Sequence, residues 1–124
     1  MPLTNAGATH IASLITGAGA AFNNANARIG VGNGAGAFAA GQTDLLGGSA
    51  VRKAQEPTYP LLAANVATYR SLFTTAEANF AWEEWGLFNA AAAGVMLSRK
   101  VENLGTKTSA QSWHLTISIT VTPE

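Results

Sequence analysis

The chain has no cysteine. That excludes a disulfide framework, a thiolate nucleophile and any cysteine-ligated zinc, and leaves metal chemistry to two histidines. Charge is also scarce: Asp, Glu, Lys and Arg make up 11% of the 124 residues, less than half of the roughly 25% usual in a soluble domain. Seven basic and seven acidic residues cancel, so neither a nucleic acid nor an anionic membrane has an electrostatic claim as partner. A surface this poor in charge is expected to be covered by partners or by further copies of the chain. The first charged residue is Arg28, which argues against the basic start of a signal peptide. The stretch from Ile11 to Phe22 is broken by Ser13, Thr16, Gly17 and Gly19 and is shorter than the roughly 20 residues of a membrane span. A soluble protein made in the cytoplasm is the expectation.

What is present describes one small β-rich body. The length suits a single core, so residues 1–124 are expected to form one domain. Thr4 or Asn5 can cap a short helix from about Ala6 to Ile15, ended by Gly17, with Ile11, Leu14 and Ile15 as an apolar stripe for the core. Ala27 to Val31 reads as a strand placing Ile29 and Val31 on one face, before the turn signal Asn33-Gly34. The glycine- and alanine-rich segment from Gly34 to Gly48 reads as a spare surface loop pinned near Asp44-Leu45-Leu46. Asn65 to Phe73 is rich in β-branched and aromatic residues and is expected to be a strand after Pro57 and Pro60.

The clearest pattern is the carboxyl-terminal alternation of Trp113, Leu115, Ile117, Ile119 and Val121 with His114, Thr116, Ser118, Thr120 and Thr122. It predicts a half-buried strand, with Val95 to Val101 as its antiparallel hairpin partner across the loop from Gly105 to Ser112. Between Ala76 and Ala93, alanine and glutamate favour a helix on propensity. Gly86 and Gly94 oppose that, and a bulge at Glu83-Glu84 brings Phe80 and Trp82 onto the face of Trp85 and Leu87. The fold expected is therefore mainly β, an antiparallel sandwich-like single domain with a short amino-terminal helix. Its candidate core is Ile29, Val31, Trp85, Leu87, Leu97, Trp113, Leu115, Ile117 and Ile119. Phe38, Leu45, Trp82 and Phe88 are candidate interface residues.

Chemical constellations are weak by comparison. Gly32-Asn33-Gly34-Ala35-Gly36-Ala37 formally fits a dinucleotide-binding turn, but the segment that follows is not an amphipathic helix and the acidic partner is missing where Arg52 and Lys53 stand. Glu83 and Glu84 point to opposite faces of a strand, so a structural role is expected, with a tryptophan indole, Arg70 or Arg99 as partner. His10 and His114 have no ligand set near them in sequence. No catalytic, cofactor or metal residue is assigned. The aromatic cluster of Phe80, Trp82, Trp85 and Phe88 suits a core, a subunit interface or a sugar platform.

The order of motifs resembles small structural proteins of tailed bacteriophages related to the amino-terminal domains of tail-collar and tail-fibre proteins. The likeness lies in Leu3-Thr4-Asn5-Ala6-Gly7, Ile29-Gly30-Val31-Gly32-Asn33-Gly34, Thr43-Asp44-Leu45, Arg52-Lys53, Ala78 to Asn89, Met96-Leu97-Ser98-Arg99-Lys100 and Trp113-His114-Leu115-Thr116. Trp82-Glu83-Glu84-Trp85-Gly86-Leu87-Phe88 is its most specific part. The resemblance implies a non-enzymatic virion component. Because the last strand ends near Glu124, without the shaft of a fibre, it implies a capsid decoration protein first, and a collar, tail or neck adaptor as the alternative. Expected partners are the chain itself, as a trimer, and the major capsid protein or tail and neck proteins. A carbohydrate-binding module and a small hydrolase using the glutamates are the competing classes.

Overall fold

A computed structural model describes residues 2–123. The element order is α1 (Asn5–Ile15), β1 (Arg28–Gly32), β2 (Ala50–Ala54), β3 (Leu61–Ala63), β4 (Val66–Phe73), β5 (Ala81–Phe88), β6 (Met96–Thr106) and β7 (Trp113–Thr120). The strands form two antiparallel sheets, ordered β2-β1-β5-β6 and β3-β4-β7. The expected mainly β sandwich with a short helix is what the chain adopts.

Side-chain alternation explains the packing. From the first sheet Ile29, Val31 and Leu87 face inward, and from the second Tyr69, Phe73 and Ile117 meet them in one cluster with Trp82 and Leu97. Trp85, Trp113, Leu115 and Ile119 are half-buried against it. All nine candidate core residues thus lie in or against the core. The ring of Trp82 meets Phe73 at 4.9 Å and Trp113 at 5.0 Å, both edge-to-face, contacts worth about 0.5–1.5 kcal/mol each beyond burial. The expected bulge is present as a register shift between Trp82 and Glu84. It places Trp82 in the core although Glu84, two residues on, faces away.

Two local expectations are corrected. The last strand does not pair with β6: β7 runs antiparallel to β4, with Phe73 opposite Trp113 and Val66 opposite Thr120, while β6 pairs with β5. The connection after β6 crosses from one sheet to the other instead of turning back. Buried Lys107 fixes the crossing, its ammonium donating to Thr74 O at 2.6 Å and to Asn79 Oδ1 at 2.7 Å.

Helix α1 begins as expected, with Thr4 Oγ1 accepting from Gly7 N at 2.9 Å, but its stripe does not enter the core. Contact is made through the first turn, where a Cβ on Gly7 would collide with the Leu97 backbone. Later turns leave Ile11 38% and Ile15 82% exposed.

Candidate functional site

The most organised polar site lies on the outer face of the first sheet. Gly30 and Gly32 on β1 and Gly86 on β5 remove side chains from that face, and in the spaces left sit Phe88, Glu84 and Leu45. A Cβ on Gly32 would stand 2.5 Å from Glu84 Oε2. The alternating glycines therefore make room for a carboxylate lying flat on the sheet.

Glu84 is fully buried, and each of its oxygens has two donors. Oε1 accepts from Leu46 N at 2.8 Å and from Arg99 Nε at 2.8 Å. Oε2 accepts from Gly34 N at 2.9 Å and Gly47 N at 2.7 Å. Arg99, also fully buried, spends its other nitrogens on Gly36 O at 2.9 Å and Gln42 Oε1 at 3.2 Å. One ion pair thus ties both ends and the middle of the segment from Asn33 to Ser49 to β5 and β6.

This corrects the expectation of a spare loop pinned at one point. Asn5 N also donates to Ala40 O at 2.8 Å, joining the loop to the helix, and Arg52 reaches Asp44 at 3.3 Å. The loop forms a third layer over the first sheet, and removing it would leave Glu84, Arg99 and Phe88 without cover. The glycine turn gives one N–H, that of Gly34, to an anion cradle that Leu46 N and Gly47 N complete from the other end of the loop. Here the anion is the chain's own carboxylate, and no helix follows Gly34.

The four candidate interface residues separate. Trp82 and Phe88 are 1% and 0% exposed, so neither is an interface residue: Trp82 fills the core, and Phe88 lies beneath the Arg52 guanidinium, 3.7 Å above its ring. Arg52 is held there by Ala90 O and Ala93 O at 3.0 and 2.9 Å. Leu45 is half-buried over Gly30 and Gly86, so it fastens the loop to the sheet. Phe38 is half-buried on the same loop. Of the partners expected for the glutamates, Arg99 is the one Glu84 takes; Arg70 pairs with Glu56 at 2.9 Å.

Other chemistry is committed to structure. The His10 ring bonds Ala20 O at 2.7 Å, and Ser13 Oγ donates to the His10 carbonyl, not to its ring. His114 Nδ1 lies 2.9 Å from Glu56 Oε2. Lys53 and Thr74 hold the Glu77 carboxyl down at about 2, and burial pushes the Tyr69 phenol up to about 12. Among the described residues no group of three or more potential ligands is placed to hold a metal. Among the described residues every Phe, Tyr and Trp ring is buried or half-buried. An open cleft of about 410 Å³ lies along α1 beside Asn5, Thr9, His10 and Val95. A second, of about 310 Å³, lies beside Asp44, Arg52 and Ala91. Ser13 also lines the first, and among the described residues its hydroxyl bonds the His10 carbonyl rather than the ring.

Sequence reasoning missed the Glu84-centred network because it reads local spacing, and the partners lie 15 to 50 residues away. A usable signal was there: glycines alternating along β1 imply that something occupies that face. Comparison with protein-family models, curated proteins and solved structures finds no match to this chain.

Proposed function

We propose that the protein is a non-enzymatic structural subunit of a tailed-phage virion, acting as a decoration protein on the head surface, with a collar or tail adaptor as the alternative position. The observation that carries this reading is the use made of the buried charges. Glu84, Arg99 and Lys107 are all consumed in fixing the chain's own loops. Such groups ordinarily mark a reactive site when a cleft exposes them, and here each is buried and hydrogen-bonded to the chain's own groups. The surface of the body keeps large exposed apolar residues, among them Ile15, Leu46, Leu61, Leu62, Val101 and Val121. Residues of this kind suit contact with other subunits. The phage assignment is supported by the motif resemblance, whose most specific run, Trp82 to Phe88, is β5 at the centre of this network.

The test is quantitative mass spectrometry of purified particles of the encoding phage, with gold labelling to place the protein. Many copies over the head support decoration. A few copies at the neck or tail support the alternative. Absence from particles overturns both.

A further inference from the structure

We infer that β7 is a self-pairing edge, along which two copies join antiparallel about a twofold axis to make one continuous six-stranded sheet. The inference rests on reading the chain as an assembly subunit and names the surface it uses.

The two sheets have four edges, and three are protected in ways that natural proteins use against unwanted pairing. β2 is five residues long and carries Arg52 and Lys53. β3 has three residues and follows Pro60. Along β6 the amino-terminal half is covered by residues 2–4, with Thr4 N donating to Leu97 O and Arg99 N to Pro2 O; the other half carries Lys100 and Glu102 and an irregular register. β7 has none of these devices. Its eight residues pair with β4 without a bulge, and Trp113 to Thr120 contains no Asp, Glu, Lys, Arg or Pro.

The direction of its backbone groups is fixed by the ladder. Val121 N donates to Asn65 O, so by alternation Ile119, Ile117, Leu115 and Trp113 bond toward β4. His114, Thr116, Ser118 and Thr120 then aim their N–H and C=O groups at the open side. No hydrogen bond to those groups exists among the described residues. A twofold axis at Ile117 sets His114 against Thr120 and Thr116 against Ser118, and satisfies all of them with about eight interstrand hydrogen bonds. Side chains agree with this register. On the outer face the Thr116 and Ser118 hydroxyls oppose each other and His114 faces Thr120, with no like charges opposed. On the inner face Val121, 70% exposed, meets Trp113 of the second copy. A trimer built through β7 would need a second, different edge to match it, and three-residue β3 does not match eight-residue β7.

The test is the mass in solution of the full chain and of Ser118→Pro, by light scattering and sedimentation. Proline is tolerated where an edge N–H points outward, so this variant folds, halves its mass, and has a melting temperature that no longer rises with protein concentration. A wild-type monomer at high concentration, or an oligomer that Ser118→Pro leaves intact, overturns the pairing. Should Ser118→Pro fail to fold, Thr116→Cys and Ser118→Cys decide the matter in a chain otherwise free of cysteine. The mixed pair crosslinks on oxidation faster than either variant alone, and equal or no crosslinking overturns the register. Failure here is distinguishable from failure of the virion reading. A solution monomer found in particles removes only the edge pairing; a β7-paired dimer absent from particles removes only the virion assignment.

Discussion

The outer faces of the two sheets are built in opposite ways. On the first sheet the face is buried under a loop and holds the buried Glu84–Arg99 pair, with Phe88 beneath Arg52. On the second no loop covers it: Thr68, Arg70 and Leu72 on β4 are half-buried, and His114, Thr116, Ser118 and Thr120 on β7 are exposed. The contrast shows what each sheet needs. A sheet buried on both faces gives up side-chain volume at Gly30, Gly32 and Gly86 and must satisfy the charged groups it encloses, although the Ser98 hydroxyl on β6 is buried there without a partner among the described residues. A sheet with one wet face needs only hydroxyls that water can solvate. The fully buried ion pair of the chain, Glu84 with Arg99, is the one that fastens this layer.

The largest effect is expected from Glu84→Ala. It strands the Arg99 cation and three backbone N–H groups in a dry layer, and is expected to cost about 3–5 kcal/mol, read from chemical denaturation. Arg99→Met is expected to cost less, because Glu84 keeps Gly34, Leu46 and Gly47 as donors. Equal losses would show that the ion pair, rather than the loop anchoring, is what matters. In the core between the sheets, Trp82→Ala should also cost about 3–5 kcal/mol. Trp85→Ala should cost about 1–2 kcal/mol, since its ring is half-buried and only part of its transfer free energy is at stake. A reversed order would mean that Trp82 is not the keystone its contacts make it.

How far the sequence carried the description follows from the same contrast. The second sheet was legible because period-two alternation in Trp113 to Val121 and in β4 records one wet and one dry face. Candidate core residues on both sheets were found for that reason. The first sheet was half legible. Ile29, Val31 and Leu87 follow the alternation, but Phe88 and Trp82 are apolar residues of β5 whose shared parity hides different destinations, one under the loop and one in the core. Strand pairing was misjudged where a hairpin between neighbours in sequence gave way to a crossing fixed by Lys107. The loop was misread because Gly34 to Gly48 carries its anchoring in backbone N–H groups, which leave no trace in residue type.

A smaller effect lies at the rim joining the sheets, where Glu77 accepts from Lys53 Nζ at 2.7 Å and from Thr74 N and Oγ1 at 3.0 and 2.8 Å. These donors hold its carboxyl at about 2 against an ordinary value of 4.5. The folded form therefore keeps Glu77 ionised in a window where the unfolded chain has bound a proton. Stability from this group is complete above about pH 4.5 and is lost as pH falls toward 2. In Glu77→Gln, stability measured across that window should fall less steeply with acidification than in the wild type. An unchanged slope would show that the Lys53–Glu77 contact, about 30% exposed on both sides, is screened in solution.

The smallest effect is expected on the bare face. Thr68 and Ser118 stand opposite each other with hydroxyl oxygens 3.5 Å apart, at the limit of a hydrogen bond. Water can replace that contact in the folded and the unfolded chain alike, so Thr68→Ala should change stability by no more than about 0.5 kcal/mol. Because Thr68 lies on β4, in the middle of its sheet, the substitution leaves the β7 edge intact and reports on the face alone. Measured by denaturation at low and at high protein concentration, the loss should be the same small value. A loss above about 1 kcal/mol that grows with concentration would mean that this face, too, is covered when copies meet. The difference between the two sheets would then belong to the isolated chain and not to the assembled one.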